Sequence, residues 1–196
     1  MVYRTGSYVA FHAGGTSDPT ESDMKYYTTL LMWDVRPDHE FEFVNSHEKT
    51  AAVRDSSKRE TLERRLKERL NRSKNMILII GEETKQDTDW VPFEIRYAVD
   101  ECHIPIIAAY VPGNLLCVVN PTASEGLWPQ ALATRIRDGS ARVMHVPFRE
   151  RPLADAVEQF THNNLPSMGL ICYSPDAYRT WGLCSQCARP VCQQRG

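Results

Sequence analysis

The chain of 196 residues carries a formal net charge of −2 and is 42% hydrophobic. This length and apolar content suffice for one sizeable core with a terminal extension, but not for two full domains. A net charge close to zero gives no general attraction to phosphate backbones or anionic lipid, so neither nucleic acid nor a membrane surface is expected as a partner. The longest apolar run, residues 104–111, is far shorter than the roughly 20 residues of a membrane span.

The N-terminus lacks a basic segment followed by an apolar one, so no secretory signal is expected. Four of the six cysteines crowd into residues 172–192, so no disulfide framework spans the chain. Together these features predict a soluble protein of the reducing cytoplasm.

Short apolar segments alternate with longer amphipathic ones along the chain. The predicted strands cover residues 8–11, 41–44, 76–80, 105–111 and 142–146, and the predicted helices cover residues 22–36, a segment entered at Ser57, a segment opened by Trp90, and residues 129–137 and 153–160. The second helix has the clearest signature. Ser57 and Glu60 form a capping box, and leucines recur every four residues at 62, 66 and 70.

Five strands that alternate with helices predict an α/β fold, a flavodoxin-like three-layer sandwich with a mainly parallel sheet. This domain is expected to cover residues 1–164. Residues 165–196 form a Cys-containing extension that lacks clear periodicity. That extension either packs against the sheet or is partly mobile.

A flavodoxin-like strand order, 2-1-3-4-5, makes strands one and three neighbours at the switch point of the sheet, where such folds bind ligands. The loop at residues 12–18 follows strand one, and the segment at residues 90–94 follows strand three. Glycines 14 and 15 would let backbone approach a phosphate or ribose. A flexible turn with a helix-capping residue explains the same loop equally well.

Glu94 has two interpretations on the residues alone. It can serve the helix terminus, with Asp89 as the cap, Pro92 in the first turn and the Glu94 carboxylate beside the positive end of the helix dipole. It can also face the ligand crevice, since it lies just beyond a buried strand. Residues elsewhere in the chain are needed to choose between these two roles of Glu94.

Four motifs in order resemble the TIR-like domain of Thoeris antiphage proteins of the ThsB type, over residues 6–150. They are Phe11-His12, the segment 41–43 leading to Ser46-His47, the segment 54–57 at the entry to the second helix, and Trp-Val-x-x-Glu-Ile at residues 90–95. The resemblance implies an enzyme that cleaves NAD as its substrate, without a resident cofactor or catalytic metal. Carried onto this chain, the essential glutamate of NAD-cleaving TIR domains is Glu94.

The resemblance also suggests supporting residues around the substrate. Phe11 and His12 would form the floor of the site, Ser17 and Asp18 would contact the adenosine half or the diphosphate, and Ser46 or His47 would close over the nicotinamide ribose. Trp90 would either stack in the pocket or anchor its helix to the core. Relatives often act as oligomers, so a homo-oligomer is compatible with this assignment.

The implied chemistry is consistent with a single carboxylate. Breaking the bond between nicotinamide and ribose develops positive charge on the ribose, which a fixed carboxylate stabilises. Nicotinamide leaves as a neutral molecule, so no general acid is needed. Because relatives of the Thoeris type produce signals, the resemblance favours a cyclic or conjugated ADP-ribose that acts on a separate effector protein. Simple hydrolysis to ADP-ribose stays open.

The main alternative is a non-enzymatic TIR-like interaction module, in which the same loops bind another protein. An enzyme requires Glu94 to face a concave pocket beside residues 12–18, whereas a module requires only an exposed patch. A phosphoacceptor domain is set aside, because the third strand ends in Ile80-Gly81 without the necessary aspartate.

The cysteines of the extension are ambiguous. Cys184, Cys187 and Cys192 have the ligand type for structural zinc. A single Cys-x-x-Cys without a matching second pair is a weak indication of such a site, so the pattern favours free or partly buried thiols.

Overall fold

A computed structural model describes residues 4–12, 14, 23–34, 43–44, 56–111, 113 and 115–184, with backbone only for residues 34, 43–44 and 56–58. Several predicted features lie outside these ranges. They are Ser17, Asp18, Ser46, His47, Cys187 and Cys192. For Ser57, the predicted capping residue, only the backbone is described.

The described strands form one parallel sheet in the order β2-β1-β3-β4-β5-β6. The strands are β1 (Ser7–Ala10), β2 (Phe43–Val44), β3 (Asn75–Ile80), β4 (Ile106–Tyr110), β5 (Val143–Pro147) and β6 (Ile171–Cys172). The predicted order of the first five strands and the predicted α/β class are therefore confirmed. The sixth strand comes from the extension and pairs with β5 through Met144 and His145.

Helices cover both faces of the sheet. They are α1 (Met24–Asp34), α2 (Ser56–Arg72), α3 (Trp90–Arg96), α4 (Gln130–Arg137), α5 (Glu150–Gln159) and α6 (Pro175–Thr180). A π-helical turn, Tyr97–Glu101, continues α3, and 3₁₀ turns occupy Thr84–Gln86 and Pro121–Leu127. Helix α5 begins earlier than the predicted residue 153, because Pro152 is tolerated in the first turn of a helix. None of the helices in the described ranges combines the length and apolar character needed to cross a bilayer.

Two apolar clusters lie on opposite faces of the sheet, because successive strand side chains point to opposite sides. Tyr8 and Ala10 belong to the cluster that also contains the α2 leucines, Leu62, Leu66 and Leu70, and the α3 residues Val91 and Ile95. Val9 and Phe11 belong to the cluster formed with α1 and α5. The predicted leucine face of α2 is thus its buried face, and strand β1 contributes to both layers.

A buried chain of hydrogen bonds ties the extension to the sheet. Trp128 Nε1 donates to the Tyr110 hydroxyl (2.6 Å), which lies 2.7 Å from His145 Nδ1. His145 Nε2 lies 2.9 Å from the Gly169 carbonyl oxygen. Since a carbonyl only accepts, Nε2 carries the proton and Nδ1 accepts from Tyr110. Burial lowers the pKa of His145 to about 4, which keeps the ring neutral.

Candidate functional site

Glu94 lies on α3 and is fully buried, with no exposed surface. The hydroxyl of Tyr8, on β1, donates a hydrogen bond to its Oε1 atom. Burial, and then the nearby Glu94 carboxylate, raise the pKa of Tyr8 well above its ordinary value. Tyr8 therefore stays protonated and acts as a fixed donor that orients the Glu94 carboxylate.

Asp87, rather than the predicted Asp89, supplies the side-chain cap at the start of α3. Its Oδ1 atom accepts from the backbone amides of Asp89 (2.9 Å) and Val91 (3.3 Å). The Asp89 side chain makes no capping hydrogen bond. It binds instead to the Arg59 guanidinium, with Nη1 and Oδ2 separated by 3.0 Å. The prediction of Asp89 as the cap is wrong, because its carboxylate turns outward to this cation on α2.

The second carboxylate oxygen of Asp87 holds His12. The distance from Asp87 Oδ2 to His12 Nδ1 is 3.1 Å, and the two side chains are 11% and 21% exposed. His12 follows β1 and Asp87 follows β3, so both lie at the carboxyl edge of adjacent strands. One carboxylate thus fixes both the first turn of α3 and the imidazole beside β1.

A second polar cluster at this edge was not predicted from the sequence. The Thr84 hydroxyl donates to Asp23 Oδ2 (2.9 Å) and accepts from the Gly81 amide (2.7 Å). Asp23 directly precedes α1 and is 6% exposed. Burial raises its pKa, against the lowering influence of Thr84 and His12. A Cβ atom on Gly81 would lie 2.2 Å from Asp23 Oδ1. A residue without a Cβ atom is therefore needed at position 81 for the Asp23 carboxylate to approach this closely.

Phe11 and Glu94 lie in different layers of the molecule. Phe11 stacks on Tyr27, with ring centroids 5.0 Å apart and an interplanar angle of 18°, in the cluster on the α1 side. Glu94 bonds to Tyr8, whose ring belongs to the α2 and α3 side. The structure therefore brings His12 and Glu94 to the same pair of elements, β1 and the start of α3, and leaves Phe11 in the core.

Trp90 packs against the core cluster on the α3 side, and the Arg59 guanidinium carbon lies 4.9 Å from the centre of its ring. Of its two predicted roles, this environment matches the helix anchor. The Arg59 side chain thus contacts both Trp90 and Asp89, which fixes the first turn of α3 against α2.

An open cavity of about 510 Å³ lies along α3 and the π-helical turn. Its lining consists of Lys67, Phe93, Arg96, Tyr97, Asp100 and Glu101. Glu94 is not part of this lining. The concave pocket predicted beside residues 12–18 involves residues 15–18, which lie outside the described ranges.

Within the described ranges no cluster of three or more His, Cys, Asp or Glu side chains could hold a metal ion. Two of the three candidate zinc ligands, Cys187 and Cys192, lie outside those ranges. Cys184 packs against Tyr178 in a small separate core and is disulfide-bonded. The expectation of a free thiol is thus wrong for Cys184. Cys102 and Cys172 are free thiols.

One comparison with known proteins bears on this arrangement. The family model described as Thoeris protein ThsB, TIR-like domain, matches residues 8–115, which is more than half of the chain. The matched segment contains Tyr8, His12, Asp87 and Glu94, the four polar residues described above between β1 and the start of α3. The chain therefore belongs to the ThsB TIR-like family of the Thoeris antiphage defence system.

Proposed function

We propose that the protein cleaves NAD at the bond between nicotinamide and ribose, with Glu94 as the catalytic carboxylate. NAD is the substrate, and the reaction uses no resident cofactor. The ADP-ribosyl group is passed on to give a cyclic or conjugated product, a cytoplasmic signal that a separate effector protein senses. The observation that carries the proposal is the burial of Glu94 against the Tyr8 hydroxyl, beyond the carboxyl end of β3.

A buried carboxylate suits this reaction for an electrostatic reason. The reacting ribose becomes an oxocarbenium-like cation as nicotinamide departs, and a nearby negative charge stabilises it. That stabilisation is larger in a site that excludes water, because the effective dielectric constant is lower there. Tyr8 acts as a positioning residue, since its hydroxyl fixes the orientation of the Glu94 carboxylate before substrate binds.

The test is release of nicotinamide from NAD by purified protein, with chromatography of the adenine-containing product. Glu94→Gln retains an oxygen that accepts from Tyr8, so the fold should persist while the negative charge is lost. We expect release to fall by about 10² to 10³-fold, the usual cost of removing a group that stabilises the transition state electrostatically. Glu101→Gln, at an exposed carboxylate seven positions further along the same helical segment, is the matched control and should retain activity.

Equal release by the wild type and the Glu94→Gln variant would contradict the assignment of Glu94. Absence of release by either protein, at high concentration and in lysate of phage-infected cells, would favour the interaction module. The half-buried aromatic groove around Phe93 and Tyr97 would then be the first surface to mutate in binding assays.

A further inference from the structure

We infer that His12 and Asp87 together form the general base that deprotonates the acceptor of the ADP-ribosyl group. The acceptor then attacks through a hydroxyl or an N–H group and not through a ring nitrogen that carries no proton. This inference rests on the proposed function, because it concerns the second half of the same reaction.

The geometry of the pair sets the protonation pattern of His12. Asp87 Oδ2 lies 3.1 Å from His12 Nδ1, and a carboxylate in this position accepts the Nδ1 proton. In the neutral form of the imidazole, Nε2 is then the proton-accepting atom. Asp87 is itself fixed, because its other oxygen accepts from the backbone amides of Asp89 and Val91. The pair has the form of the Asp–His unit that acts as a base in hydrolases.

The position of the pair relative to Glu94 suits a second catalytic step. Val91, whose amide Asp87 caps, precedes Glu94 by three residues on α3, which is about one helical turn. His12 follows the strand whose Tyr8 side chain holds Glu94. Glu94 is fully buried, whereas the His12 side chain is 21% exposed. The buried group is placed to stabilise the ribose, and the accessible one can meet an incoming acceptor.

The bond from the anomeric carbon to nicotinamide breaks, and its electron pair stays on nicotinamide, which leaves neutral. A lone pair of the acceptor forms the new bond to that carbon, and the acceptor proton moves to His12 Nε2 and then to solvent. The net reaction converts NAD and a protic acceptor into the ADP-ribosyl product, nicotinamide and one proton, with no oxidant or reductant.

The return of nicotinamide to the ADP-ribosyl cation is a reaction of the same enzyme with which transfer to an acceptor can be compared. The nitrogen of nicotinamide carries no proton, so its return to the anomeric carbon regenerates NAD without a base. Exchange of radiolabelled nicotinamide into NAD therefore depends on Glu94 but not on the His12–Asp87 pair. Transfer to a protic acceptor depends on both. The ratio of the transfer rate to the exchange rate isolates the base from substrate binding and from folding.

Asp87→Asn is the decisive variant. Its amide oxygen can keep the cap of α3, while its amide nitrogen donates to His12 Nδ1 and so moves the imidazole proton to Nε2. We expect the ratio of transfer to exchange to fall by about 10² to 10⁴-fold, the usual contribution of a general base. His12→Asn, which removes the base without touching the cap, should lower the ratio similarly. Asp89→Asn makes the same charge change two residues away on the Arg59 side and should leave the ratio unchanged.

Unchanged ratios in Asp87→Asn and His12→Asn would overturn the inference and leave the proposed function intact. An equal fall in Asp89→Asn would also overturn it, because the effect would then come from the helix start. Lack of both nicotinamide release and exchange in the wild type would instead refute the proposed function, and the inference with it.

Discussion

Acidification should destabilise the fold through His145, which lies fully buried on β5. Nε2 donates to the Gly169 carbonyl oxygen, and Nδ1 accepts from the Tyr110 hydroxyl. A second proton on Nδ1 would therefore require the Tyr110 hydroxyl to break that hydrogen bond. Burial accordingly lowers the pKa of His145 from 6.5 to about 4. The unfolded chain has no such constraint and binds a proton near the ordinary pKa. Stability contributed by the neutral ring is therefore present above the unfolded pKa and is lost as the pH falls below it.

The two pKa values set the size of the effect. Each unit of difference is worth about 1.4 kcal/mol once the pH is below both values, so the full contribution is about 3 kcal/mol. Between about pH 7.5 and about pH 5, where the unfolded state is mostly protonated and the folded state mostly neutral, the loss should be about 2 kcal/mol. Carboxylates titrate over part of the same range, so the His145 contribution has to be isolated by a variant.

Urea unfolding of the wild type and of His145→Gln at the two pH values provides that isolation. Glutamine supplies one donor and one acceptor but does not titrate. We expect the wild type to lose about 2 kcal/mol more than the variant on acidification. Parallel losses in the two proteins would refute the reasoning. If His145→Gln does not fold, an NMR titration of the wild-type ring decides the matter, and titration near the ordinary histidine pKa would be the contradicting result.

Two further predictions concern the two ends of β3, a central strand of the sheet. Gly81→Ala should lower the free energy of unfolding by about 1–3 kcal/mol, because the added Cβ meets the Asp23 carboxylate and overpacks the cluster. Gly126→Ala is the control, since its added Cβ meets nothing within 4 Å. Equal thermal stability of the two variants would contradict the close approach. Asn75→Ala removes a buried hydrogen bond to the Val157 carbonyl oxygen (3.0 Å) and a partly buried one to the Phe160 carbonyl oxygen (2.7 Å). The free energy of unfolding measured in urea should fall by about 2–3 kcal/mol. An unchanged unfolding midpoint would mean that these bonds contribute nothing.

The sheet order could be predicted because the buried strands are continuous apolar runs separated by amphipathic helices, and that alternation admits few topologies. Strand β6 could not, since two residues, Ile171 and Cys172, show no period and follow a segment rich in turn residues. The π-helical turn after α3 was also hidden, because its buried residues, Ala98 and Val99, fit an ordinary helical face.

The site was predictable only in part. Glu94 was singled out because it belongs to a recognisable motif after a buried strand, and its role as the catalytic carboxylate stays a proposal. The cap was assigned to Asp89 in place of Asp87. The sequence shows both acidic residues before the helix, but it does not show that Arg59 on α2 binds the Asp89 carboxylate. The Asp23 and Thr84 cluster was missed because its members come from loops far apart in the chain, and no local spacing links them.

The position of β4 in the middle of the sheet limits how the protein can be divided. The family-matched segment ends at residue 115, but β4 pairs along its length with β5, which begins at Val143. A fragment cut at the family boundary would present Ile106–Tyr110, a wholly apolar strand, with one row of backbone amides and carbonyls unpaired. Such an edge templates aggregation. The smallest piece suitable for expression or crystallisation should therefore run through β6, well beyond the end of the matched segment.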